Sequence, residues 1–137
     1  MDNKYDCLIV GSGTSGTYLA YRLSKLGFSV LVIDKDKEEN ICNRFDLIHF
    51  PLNDFSKHSL ETPNINDEDC VEVFHDGYTR SALDKNEKKT RNDIYAAHFH
   101  KLFLRFKKQA LDSGAEFSFE TEVKSILYDE KRKPNGI

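Results

Sequence analysis

Gly11, Gly13 and Gly16, with Asp34 further on, are the residues of this chain whose types and spacing point most directly to chemistry. The loop Gly11-Ser12-Gly13-Thr14-Ser15-Gly16 contains no Lys or Arg, so any anion it holds must be held by backbone. Gly11 permits a tight turn out of a strand, and Gly13 leaves the backbone open to a pyrophosphate. Gly16 lets a following helix pack close to a sheet. Phosphates then meet unpaired N–H groups at the positive end of the helix dipole. A carboxylate at Asp34 can accept hydrogen bonds from both hydroxyls of an adenosine ribose, and its charge would repel a 2′-phosphate. The chemistry implied is binding of a dinucleotide other than NADP, which leaves FAD and NAD.

The elements that must position these residues are legible around them. Cys7 to Val10 is a continuous apolar run, as expected of a strand buried on both faces of a parallel sheet. A helix from about Thr14 to Leu26 places Gly16, Ala20, Leu23 and Gly27 on one face, which must lie on that sheet. Ser29 to Ile33 has the branched side chains of a central strand and leads into Asp34. A Gly-x-Gly-x-x-Gly loop alone is weak evidence, but here strand, helix face and terminal acid all stand in register with it.

Composition narrows the remaining classes. A chain of 137 residues can form one small core, but a dinucleotide enzyme needs further sequence to hold substrate and cover the reactive ring. With 20 basic and 23 acidic residues and a formal charge of −3, nothing points to nucleic acid or to a polybasic membrane surface. No apolar stretch is long enough for a membrane span, and no room precedes the first strand for a signal peptide, so a cytoplasmic location is expected. The three cysteines, Cys7, Cys42 and Cys70, have no C-x-x-C spacing and suggest neither a disulfide framework nor a zinc site. No metal ligand set is expected, because His98 and His100, two apart on a helix, would not share a face. His49, His58 and His75 read as solvent-facing or core-edge residues.

Residues 35–94 are polar and hard to assign. A structureless connection of that length is improbable inside a compact domain, so short helices or a hairpin are expected, with a strand at Val71 to Phe74. Next, Tyr95, Phe99, Leu102, Phe103, Phe106 and Ala110 recur at helical spacing, predicting an amphipathic helix that stops near Ser113-Gly114. Phe117, Phe119, Thr121 and Val123 alternate with polar residues and predict a strand. Asn135-Gly136 is a hairpin turn signal with no returning strand after it, so an incomplete β-hairpin and a chain cut from a larger protein are expected.

Tyr5 to Asp34, the helix from Tyr95 and the segments Gly114 to Phe117 and Glu120 to Val123 together resemble the N-terminal FAD domain of the geranylgeranyl reductase and p-hydroxybenzoate hydroxylase-like oxidoreductases. The resemblance implies an α/β fold: a Rossmann-type βαβ FAD-binding domain with a parallel sheet. Residues 1–137 would be its N-terminal part, with 35–94 as an insertion after the second strand. It also implies that the ADP half of FAD lies on Gly11, Gly13, Gly16 and Asp34, with Lys35 at the edge of the ribose, Arg44 at the pyrophosphate and Val123 reaching the adenine through its backbone. The family's Cys-Gly-Gly stretch is replaced here by Ile41-Cys42-Asn43-Arg44, and the later Gly-Asp flavin motif and the substrate domain are missing.

By the same resemblance, the intact enzyme would move a hydride through the flavin. Its donor would be NAD(P)H or a protein, and its substrate a small molecule or lipid. No catalytic residue is assigned within these 137 residues. Two alternatives stay open: an NAD-dependent dehydrogenase, which would continue into regular βαβ repeats, and a truncated, non-catalytic remnant.

Overall fold

The computed structural model describes residues 4–44, 46–80 and 87–137, so residue 45 and residues 81–86 of the expected insertion lie outside it. Two compact units divide the chain: residues 1–43 with 102–137, and residues 44–101.

The first unit is built on a parallel sheet. β1 (Cys7–Val10) leads through the glycine loop into α1 (Thr14–Lys25), and β2 (Val30–Ile33) follows. β6 (Glu116–Ser118) completes the strand order β1-β2-β6, with Cys7 opposite Val30 and Val32 opposite Phe117. β2 is therefore the central strand, which is why Val30, Val32 and Ile33 are buried. The expectation that β1 is buried on both faces is corrected. Among the described residues β1 pairs with β2 alone, and Val10 is 62% exposed while only Ile9 of the strand is buried. An apolar run identifies a strand but does not tell a central strand from an edge.

α3 (Phe99–Asp112) brings Leu102, Phe103, Phe106 and Ala110 into the core at helical spacing. It begins four residues after the expected start, because Tyr95 belongs to a strand. β6 also ends early: Glu120 takes a left-handed φ of 53°, so Thr121 and Val123 lie past the strand rather than in it. At the C-terminus, β7 (Leu127–Tyr128) pairs with β8 (Pro134–Gly136), and Asp129 makes the reversal by accepting from the N–H groups of Lys131 and Lys133. The hairpin expected to be incomplete is thus closed within the chain, and Asn135-Gly136 lies in its returning strand rather than in its turn.

The second unit is an antiparallel sheet with a short helix. β3 (Leu47–Pro51), β4 (Cys70–Arg80) and β5 (Glu87–His98) take the order β3-β5-β4, and α2 (Leu52–Lys57) follows β3 directly. β5 is paired on both edges, so Tyr95, Ala96 and Ala97 are buried. Phe55 packs edge-on against both Phe50 and Tyr95, at 5.6 and 5.9 Å between ring centres. The expected strand at Val71 to Phe74 is part of β4, and the polar region holds both the hairpin and the short helix that its length demanded.

Candidate functional site

The glycine loop occupies the turn between β1 and α1. The Gly11 N–H donates to the Ile33 carbonyl at 2.8 Å and the residue has a φ of 101°, a conformation that side chains resist. At Gly16 a Cβ would run into the carbonyl oxygen of Gly11, so this glycine is required by the close passage of α1 over the loop. Gly13 differs from both. Its φ of −57° suits any residue, and a Cβ there would meet nothing within 4 Å. The fold does not need a glycine at position 13. The open space above it is what an approaching pyrophosphate requires.

Gly13 is also the N-cap of α1. No side chain caps that end, and no acid lies in the first turn. The N-terminal N–H groups and the helix dipole thus keep their positive potential, as an anion site needs. Thr14 is half-buried and Ser15 exposed.

Asp34 lies at the end of β2 and faces the loop. Its Oδ2 accepts from the Ser12 N–H at 2.6 Å and from the Ser12 hydroxyl at 2.8 Å, and its Oδ1 accepts from the Asp36 N–H at 3.0 Å. Partial burial would push this carboxyl up. The hydrogen bonds from Ser12 and Asp36, aided by the charge of Lys35, outweigh it and hold the group below the ordinary carboxylate range. Asp34 is therefore an anion at neutral pH.

Thr17, fully buried, donates its hydroxyl to the Ser12 carbonyl at 2.7 Å and fixes the loop from the helix side. Sequence reasoning missed Thr17. The available signal was a hydroxyl residue in the first turn of a helix whose N-cap is a glycine.

The segment after β6 lines up with the same strand end. Thr121 N–H donates to the Asp34 carbonyl at 2.9 Å, and Glu120 N–H to that of Asp36 at 3.2 Å. Val123, half-buried, follows two residues later. Lys107 of α3 ion-pairs with Glu38 at 2.6 Å and lies over the ring of Phe119 at 5.2 Å, which ties the loop beyond Asp34 to the helix. Lys35 is exposed. The structure thus brings together the glycine loop, Asp34, Lys35 and the segment leading to Val123. Arg44 belongs to the second unit, where its guanidinium lies 6.0 Å from the centre of the Phe99 ring.

Among the described residues, other reactive residue types form no comparable arrangement. Cys7, Cys42 and Cys70 are half-buried and form no disulfide among the described residues. His75 and Asp93 make an exposed pair at 2.7 Å. Among the described residues no group of three or more His, Cys, Asp or Glu could hold a metal ion, and no helix is long and apolar enough to cross a membrane. The second unit has a cleft of about 580 Å³ with the Asp54–Lys57 pair on its wall.

Comparison with known proteins agrees with this geometry. Residues 9–38 match the NAD(P)-binding Rossmann-like domain. An uncharacterized protein of Methanosarcina barkeri is 29% identical over 92% of this chain and 32% of its own length. Among solved structures, a geranylgeranyl bacteriochlorophyll reductase-like protein of Thermoplasma acidophilum superposes with a TM-score of 0.73 at 15% identity, over 92% of this chain and 32% of that one. The halogenase PltM, in complex with phloroglucinol and FAD, superposes with a TM-score of 0.64 at 17% identity, over 93% of this chain and 30% of that one. The chain therefore spans about a third of the length of these relatives. It has the Rossmann-type α/β fold of this reductase-like protein and halogenase, and its residues 9–38 carry the NAD(P)-binding Rossmann-like signature.

Proposed function

We propose that this chain is the FAD-binding portion of a flavin-dependent oxidoreductase and that it holds the ADP half of the cofactor. The observation that carries this reading is the open space above Gly13, at an uncapped helix N-terminus facing the ionised Asp34. Backbone N–H groups of residues 11–16 take the pyrophosphate, Asp34 takes the ribose, and Lys35 borders the ribose site. Val123 reaches the adenine through its backbone. The negative charge of Asp34 selects against a 2′-phosphate. When bound, the flavin supplies hydride transfer between a donor, NAD(P)H or a protein, and a small-molecule or lipid substrate.

FAD is favoured over NAD by the second unit, residues 44–101, which interrupts the chain where a dehydrogenase continues into further βαβ repeats. The halogenase PltM, solved in complex with FAD and similar to the chain in fold, supports the same choice.

The deciding experiment is the absorbance spectrum and released cofactor of the full-length gene product, beside its Gly13→Val variant. Flavin bands in the parent that vanish in a folded variant support the reading. A colourless parent whose melting temperature rises with NAD and not with FAD overturns it in favour of a dehydrogenase.

A further inference from the structure

Lys107 is a cation that the fold takes largely out of water. Its side chain is 15% exposed, and its ammonium meets the Glu38 carboxylate at 2.6 Å, with the ring centres of Phe119 and Phe117 at 5.2 and 5.9 Å. The two rings stack on each other at 6.0 Å. All four residues belong to the first unit. Stability alone does not call for a lysine in this place, because a hydrophobe of similar size in place of a desolvated ion pair is often neutral or stabilising.

What the charge joins is more informative. Glu38 sits in the short 3₁₀ turn Glu38–Asn40 that follows Asp34, while Phe117 and Phe119 flank the end of β6. Two backbone hydrogen bonds join these segments: Thr121 N–H to the Asp34 carbonyl and Glu120 N–H to that of Asp36. Glu120 makes its bond with a left-handed φ of 53°, a conformation that persists only where the surroundings hold it. Lys107 therefore holds both sides of this seam from one point on α3. The seam carries Asp34, Lys35 and the approach to Val123, the adenosine side of the proposed site.

We propose that Lys107 is a positioning residue for the adenosine half of the nucleotide, which touches no ligand atom and acts by keeping the two segments around Asp34 ordered before binding. This inference rests on the proposed dinucleotide site. Without the clamp, residues 35–40 and 119–123 must be ordered when the nucleotide arrives, and that entropy is subtracted from its affinity. The glycine loop is braced separately, by Thr17 on the Ser12 carbonyl and by Asp34 on the Ser12 N–H, and keeps its order.

The test is calorimetric titration with ADP of the full-length apoprotein and its Lys107→Met, Lys107→Arg and Glu38→Gln variants. Lys107→Met removes the charge and keeps an unbranched stem, and Glu38, 40% exposed, is left to water rather than stranded. The Met variant should melt within about 2 °C of the parent. It should bind ADP about three- to thirtyfold more weakly, with faster hydrogen exchange over residues 117–123 and not over α1. Glu38→Gln breaks the same pair without altering α3 and should weaken ADP in the same direction, whereas Lys107→Arg should bind ADP within about twofold of the parent. If Lys107→Met does not fold, Glu38→Gln decides by the same criteria. Unchanged ADP affinity in the folded variants overturns the inference and leaves the dinucleotide site standing. A loss of affinity matched by a fall in melting temperature also overturns it, because the residue is then a support of the fold and not of the site. Failure of ADP to bind the parent overturns the site and the inference together.

Discussion

Two glycines three residues apart have opposite reasons to be glycine. A side chain at Gly16 collides with the Gly11 carbonyl, whereas one at Gly13 enters open space. Gly13→Ala should therefore melt within about 2 °C of the parent, as expected for a substitution within about 0.5 kcal/mol, and yet lose cofactor. Gly16→Ala should lower the melting temperature and the yield of folded protein. Thermal melts of both variants, with and without ADP, check the pair. Asp34 gives a second prediction. Because its folded-state carboxyl titrates below the ordinary value of about 3.9, the stability it contributes is complete above that value and is lost as pH falls through the lowered one. Ser12→Ala removes one of the donors that hold it down, so acid unfolding followed by circular dichroism should begin at a higher pH than in the parent. The glycine triplet and Asp34 were readable from sequence because each is a residue type demanded by backbone geometry or charge. The Ser12–Asp34 bonds and the Thr17 brace were not, since they depend on distances across the turn.

At the scale of elements, the βαβ unit was legible because its periods are regular and its turn residues unambiguous. The misreadings share a physical cause: one residue can satisfy two patterns. Tyr95 stands four residues before Phe99 and so extends the helical stripe, yet Ile94 to Ala97 is also the apolar run of a strand paired on both edges. Partners decided the matter, and they lie outside any local window: Phe50 of β3 and Val73 of β4 stand opposite Tyr95. Likewise, the alternation from Phe117 to Val123 is real, but Thr121 N–H turns to the Asp34 carbonyl and the strand stops at Ser118. α3 is where pattern and packing agree most fully. Phe103 is fully buried there, so Phe103→Ala should cost about 3–5 kcal/mol, read as a lower midpoint of denaturant unfolding.

Across the whole molecule, the sequence located a region of different character after β2 but not that it is a unit with its own sheet. β4 is exposed over much of its described length, and charged and polar residues fill it and the first half of β5, so only the short stretches Val71 to Phe74 and Ile94 to Ala97 mark the pair. Antiparallel neighbours can be stabilised by pairing and one covered face, which leaves a weak trace in composition. The register that sets Val32 opposite Phe117 closes the parallel sheet across a stretch of chain that contains all of residues 44–101. That connectivity has a kinetic consequence. Pairing β2 with β6 must overcome a large loop-closure entropy, whereas β4 and β5 are joined by a short connection and can zip locally. During refolding, pulse-labelled amides of β4 and β5 should gain protection from exchange before those of β2 and β6. On this ordering, the proposed nucleotide site is among the last features the chain completes, because the carbonyl of Asp34 finds its Thr121 partner only after the most distant strand has docked.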